Sequence, residues 1–165
     1  MIIISDTSPL TSLTAINQLD LLQKLYQKII IPQAVYRELT AVKNPVPGTK
    51  EVQTLDWIEV KQVVNLSLVN FLRQQQLLDA GESEAIALAI ELKADFLLID
   101  ERKGRQEAIN QGINITGLLG VLIEAKIKQL IPSVKPLLDD LIIIANFRVS
   151  EQLYQQILQI TQENI

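Results

Sequence analysis

Four short runs rich in β-branched residues, "IIIS" at 2–5, "KIII" at 28–31, "DFLLI" at 95–99 and "INIT" at 113–116, alternate with stretches of helical spacing. That alternation leaves few architectures open. Strands that are apolar on both faces must be covered on both faces, and helical crossovers between successive strands make them parallel. The expectation is an α/β three-layer sandwich with a central, mostly parallel sheet. "WIEV" at 57–60 reads as a weaker fifth strand. The helical stretches carry apolar residues three and four apart: Leu19, Leu22 and Leu25, then Ala85, Ile86 and Ala89, then Leu118, Val121, Leu122 and Ala125.

Helix starts are legible where Ser8 precedes Pro9, Ile31 precedes Pro32 and Thr116 precedes Gly117, since proline favours the first helical position. "KNPVPGT" at 43–49 is the clearest loop. With no long polar or Gly/Ser-rich break, one domain is expected over residues 1–165, with a helical C-terminal part over about 132–165. That part is interrupted at "ANFR" and restarts at Ser150. Its Leu153, Ile157 and Ile160 form a stripe expected to pack on the domain or on a second subunit.

Two absences restrict the chemistry. The chain holds no histidine and no cysteine, which excludes Ser-His-Asp and Cys-His catalysis, disulfides, iron–sulfur sites and the usual zinc sites. Any catalysis must rest on carboxylates, Lys, Ser/Thr or a cation held by oxygen. With 15 Lys and Arg against 19 Asp and Glu, the net charge is −4, so wholesale electrostatic binding of duplex DNA is not expected. Neither "GxxxxGK[ST]" nor "GxGxxG" occurs, so nucleotide-cradling folds lack their phosphate loop. The opening apolar run is too short for a secretory signal. "LIIIA" at 141–145 is far below the roughly 20 residues that span a bilayer. A cytoplasmic protein without a membrane segment is expected.

In an open α/β sheet, ligands bind outside the carboxyl ends of the strands. Asp6 follows the first strand and Asp100 the fourth, so both should face that crevice. Ser8 already stands before Pro9, which leaves Asp6 without a capping duty. Asp100 has an alternative explanation, since an acid near a helix starting at residue 102 complements its dipole. Glu38 falls at the edge of the stripe Val35, Leu39 and Val42; taken alone, it reads as a solvated helix residue. Glu82 and Glu84 open an Ala-rich helix, where dipole complementarity again accounts for them. Its small Ala85, Ala87 and Ala89 permit close approach to neighbours. Several carboxylates in one pocket repel unless a divalent cation is bound, and that cation can prepare water for attack on phosphorus.

Six segments in order, "ISDTSPL" at 4–10, "IPQAVYREL" at 31–39, "GESEAIALA" at 81–89, "LLIDERKGR" at 97–105, "GLLGVLIEAK" at 117–126 and "FRVSEQLYQQIL" at 147–158, resemble the PIN-like group labelled DUF3368, related to VapC-type toxins. The resemblance implies a metal-dependent ribonuclease that hydrolyses RNA phosphodiester bonds with Mg²⁺ or Mn²⁺. Its acidic tetrad would fall on Asp6, Glu38, Glu82 and Asp100, with Glu84 competing for the third place. One or two ions are both compatible. Thr7 and Ser8 resemble hydroxyl-bearing residues that bond a ligand or a bound water. Arg102, Lys103 and Arg105 would meet RNA phosphates, although a solvated helix face accounts for them equally. A homodimer, a small antitoxin partner and a role as the toxin of such a pair are further implications. The alternative is a non-catalytic PIN-like RNA-binding or protein-interaction module.

Overall fold

The computed structural model describes residues 1–163; the last two residues of the expected C-terminal helical part, 164 and 165, lie outside them. The described elements run β1 (Ile3–Ser5), α1 (Thr7–Ala15), α2 (Asp20–Tyr26), β2 (Ile29–Pro32), α3 (Gln33–Thr40), α4 (Thr49–Thr54), β3 (Ile58–Lys61), α5 (Leu66–Gln74), α6 (Ala80–Glu91), β4 (Phe96–Leu98), α7 (Arg102–Asn110), β5 (Ile115–Thr116), α8 (Leu118–Ile127), α9 (Lys135–Ile143) and α10 (Glu151–Ile160). All four expected strands form, and the weak run at 57–60 becomes β3. The sheet order is β3-β2-β1-β4-β5, and every pairing is parallel. The sheet is therefore wholly parallel, where the sequence suggested a mostly parallel one.

Side-chain alternation along the strands splits the interior into two cores. Ile3, Ile29, Ile31 and Leu98 point to the layer of α1, α2, α8, α9 and α10. Ile4, Ile30, Leu97 and Ile99 point to the layer of α5, α6 and α7. Both faces are buried, which is why the strands read as unbroken apolar runs rather than alternating ones.

The chain reverses its direction of travel across the sheet after β3. From β1 it steps to β2 and then β3; α5 and α6 carry it back so that β4 lands on the other side of β1. The crevice of such a sheet opens at this switch, at the carboxyl ends of β1 and β4. Asp6 N–H donates to the carbonyl of Leu98 at 2.9 Å, so the pairing runs one residue beyond β1. Among the described residues, no helix is long and apolar enough to cross a membrane.

Three helix starts differ from expectation. α1 begins at Thr7 with Asp6 at the N-cap, so Pro9 is its third residue and Ser8 is not the cap. Pro32 ends β2 and serves as N-cap of α3, because its locked φ also suits extended backbone. Gly117, not Thr116, is the N-cap residue of α8. The C-terminal stripe also turns. Ile157 and Leu158 are buried, while Ile160 is 62% exposed. Tyr154, whose hydroxyl donates to Asp139 Oδ1 at 2.6 Å, ties α10 to α9.

Candidate active site

Asp6 occupies a helix N-cap with extended backbone (φ −77°, ψ 177°), yet its side chain caps nothing. It is only 4% exposed. Burial pushes its carboxyl up to about 7, helped by the charges of Asp79, Glu38 and Glu101 and opposed by the Thr7 N–H. Those perturbing charges identify its neighbours: acids from α6, α3 and the approach to α7 converge on the end of β1.

Glu82 sits in the first turn of α6, in a run of buried residues. Burial raises its pKa to about 8, reinforced by Asp79 beside it and by the charges of Asp6 and Glu101. Asp79 is the N-cap of α6 and accepts from the Glu82 N–H at 2.8 Å. Glu38 reaches the same helix start from α3. Its Oε1 accepts from the Gly81 N–H at 3.1 Å, and its Oε2 accepts from the Thr7 hydroxyl. A Cβ at position 81 would lie 2.6 Å from Glu38 Oε1, so a side chain there would push the Glu38 carboxylate aside.

Glu84 is elsewhere. It accepts from the Ala34 N–H at 3.1 Å and lies 3.6 Å from Arg37, tying α6 to the start of α3. The two glutamates of "GESE" thus separate into one that faces the acids and one that joins helices.

Asp100 takes an unexpected direction. Its Oδ1 accepts from the Leu118 N–H at 3.1 Å, at the start of α8. Its pKa is raised by burial, against the Leu118 N–H and the Arg105 charge, and Glu101 raises it further. Asp6, Glu38 and Glu82 are not among the charges acting on it. Gly117 lies against it so closely that a Cβ would stand 2.5 Å from Oδ1. The next residue, Glu101, is the one whose charge is felt by both Asp6 and Glu82. Sequence reasoning passed over Asp79 and Glu101. The available signals were the cap position of Asp79 before "AGE" and the adjacency of Glu101 to Asp100 at the end of a strand.

The profile of the DUF3368 family, described as a PIN domain, matches residues 2–163. The chain belongs to this family of PIN domains. PIN domains are generally nucleases and usually use divalent metals. No curated protein matches the chain.

In this PIN domain, the donor chemistry fits a hard divalent cation. The ligands on offer are carboxylate oxygens alone. Among the described residues, no Lys or Arg forms an ion pair with Asp6, Glu38, Asp79, Glu82 or Glu101. The upward shifts of Asp6 and Glu82 come first from burial and then from the neighbouring acids that no cation offsets. Among the described residues, no three acids already close on a single point; Glu38 and Asp79 lean instead on the first-turn N–H groups of α6.

The cations and hydroxyls named from sequence fall differently. Arg102 and Lys103 are exposed on the first turn of α7. Arg105 is half-buried and donates through Nη1 to the carbonyl of Ile99 at 2.8 Å. Thr7 holds Glu38, whereas the buried Ser8 Oγ has no partner among the described residues.

Proposed function

We propose that this PIN domain is a divalent-cation-dependent endoribonuclease, working at the acids gathered where β1 and β4 end. The observation that carries the reading is the convergence of buried carboxyls: Asp6 at the end of β1 and Glu82 on α6 are 4% and 8% exposed, and Glu38 reaches the same helix start through the Gly81 N–H. Asp6, Glu38, Glu82 and Glu101, with Asp79 beside them, are the residues that would hold Mg²⁺ or Mn²⁺. When bound, such a cation offsets their repulsion, lowers the pKa of water and draws electron density from a phosphoryl oxygen.

The chain's own groups have distinct parts in this reading. Asp6 and Glu82 are buried carboxyls that a bound cation would hold ionised, so both would serve as its ligands. Thr7 and the Gly81 N–H keep Glu38 aimed at the start of α6. Asp100 positions the beginning of α8 through Oδ1, and in this reading Glu101 is assigned the fourth place that the family resemblance carries onto Asp100. Arg102 and Lys103, exposed beside the acids, meet RNA phosphates, and Ser8 keeps a hydroxyl available.

RNA as substrate, a homodimer, a small antitoxin and the toxin role all follow from the likeness to VapC-type proteins and are proposals on that ground. The test is incubation of a mixed RNA pool with wild type and Asp6→Asn, with Mg²⁺ or Mn²⁺ and with chelator. Cleavage by wild type alone, abolished by chelator, is the expected outcome; intact RNA throughout sinks the reading. A second reading, a non-catalytic RNA-binding or protein-interaction module, is favoured by the absence among the described residues of three acids closing on one point. Calorimetric titration with Mn²⁺ separates the two, because that module takes up no ion.

A further inference from the structure

Beside the acids lies a cleft that their chemistry does not use. A cavity of about 370 Å³ is lined by Ser8, Asp100, Glu101, Phe147 and Arg148, among others. A second of about 280 Å³ adjoins it, sharing Asp100, Phe147 and Arg148 and bounded by Arg105. The first is of the size that receives a small ligand, and the second extends it. Glu101 belongs both to the first cavity and to the group acting on Asp6 and Glu82. Ser8 stands two residues after Asp6, and the Asp6 N–H bonds the carbonyl of Leu98, two residues before Asp100, so the cleft and the acids share the ends of β1 and β4.

The outer wall is the segment between α9 and α10. It is held at both ends: Phe147 N–H donates to the carbonyl of Leu141 at 2.9 Å, and Ser150 accepts from the Leu153 N–H at 3.1 Å. Asn146 turns the chain with φ +55°. Phe147 packs against the larger core, and Arg148, next in line, is exposed. Two carboxylates line the same cavity as Arg148. Even so, among the described residues it enters no ion pair and no hydrogen bond. Across the cleft, Ser8 Oγ and Asp100 Oδ2 are buried without partners. An unpaired cation carried on a tethered segment thus lines the same cavity as an aromatic ring and two residues with unpartnered polar atoms.

We propose that this cleft seats a nucleotide flanking the cleavage point of a single-stranded RNA, with the Arg148 guanidinium on its backbone phosphate and its base over the floor formed by Ser8, Asp100 and Phe147. A guanidinium pairs two donors with a phosphate. Unpaired bases offer flat faces to aromatic rings and polar edges to buried hydroxyls and carboxylates. The shared ends of β1 and β4 then place a neighbouring phosphate at the acids. Arg148 is a positioning residue here, and the proposal rests on the ribonuclease reading of the adjoining site.

The experiment measures fluorescence anisotropy of a short fluorescein-labelled single-stranded RNA. It is bound to Asp6→Asn protein, with and without Arg148→Ala or Arg148→Lys, over a series of salt concentrations. Arg148→Ala is expected to weaken binding about tenfold, the loss of one charge-assisted contact. The slope of log affinity against log salt should fall by about 0.7, one single-strand phosphate. Arg148→Lys should keep the slope and lose part of the affinity. Calorimetric Mn²⁺ uptake of otherwise wild-type Arg148→Ala should match wild type.

Equal affinity and slope for Arg148→Ala overturn the proposal and leave the cleft to a peptide partner. RNA that binds with this Arg148 dependence but is never cut by wild type sinks the nuclease reading and leaves the subsite standing. Protein that binds no RNA at all overturns both.

Discussion

At the scale of single residues, the acids are distinguished by what each carboxylate already touches. Asp6 and Glu82 are buried beside other negative charge, and Asp100 gives Oδ1 to the Leu118 N–H while its Oδ2 has no partner among the described residues. Glu101→Gln should therefore cost on the order of 100-fold or more in RNA cleavage and weaken Mn²⁺ uptake, as loss of a ligand should exceed loss of a supporting contact. Asp100→Asn retains an oxygen for Leu118 and should keep Mn²⁺ uptake near wild type. The reverse ranking in calorimetry returns the fourth place to Asp100. At position 81, a methyl group would displace the Glu38 carboxylate from 2.6 Å. Gly81→Ala should lower cleavage about 10- to 100-fold with little change in melting temperature. Unchanged kinetics would mean that Glu38 has no part in the chemistry.

At the scale of elements, helix ends carry much of the organisation. Glu38 and Asp79 both serve the start of α6, Glu84 the start of α3 and Asp100 the start of α8. Helix N-termini attract acids through their unpaired N–H groups. For that reason sequence alone left capping and ligation open at Asp100, Glu82 and Glu84. The C-terminal end is tied by Glu163, which accepts from the Val134 and Lys135 N–H groups at 2.8 and 2.9 Å and pairs with Lys126 at 2.8 Å. These bonds outweigh its burial and hold its pKa at about 2, below the ordinary 4.5. A lowered carboxylate stabilises the fold above its unfolded value, and the contribution fades as pH falls towards 2. Glu163→Gln should thus melt lower than wild type at pH 7, and the gap should narrow on acidification. A gap independent of pH rules out the carboxylate's charge as the cause. Ser150→Ala, which removes the cap of α10, should cost about 1 kcal/mol in denaturant unfolding.

For the whole molecule, the acids oppose the fold they sit in. Asp6 rises from 3.8 to about 7 and Glu82 from 4.5 to about 8. Both bind a proton more tightly folded than unfolded, so they weaken the fold as pH climbs from about 4 to about 8. In chelator, the melting temperature should decline across that window, and Asp6→Asn should flatten the decline. Under the cation-binding reading, Mn²⁺ should restore stability most at the alkaline end, where the carboxylates are ionised. A flat profile in chelator would show that the acids are solvated rather than buried together.

The strand runs, their alternation with helical spacing, and the lack of histidine and cysteine are local or countable properties, and they were enough to determine a layered α/β fold and a chemistry confined to oxygen ligands. The six ordered segments were enough for the family. Which acid faces which was decided only in three dimensions. One residue of difference at the end of β4 separates Asp100, whose Oδ1 bonds the start of α8, from the exposed Glu101, whose charge acts on Asp6 and Glu82. Two residues, just over half a turn of α6, likewise separate Glu82 from Glu84. Carboxylates so close in sequence have the same local preferences, and what distinguishes them is the direction in which neighbouring helices present their N–H groups and their charge. That direction is set by the crossover that returns the chain from β3 to the far side of β1, a long-range arrangement that no short window of sequence contains.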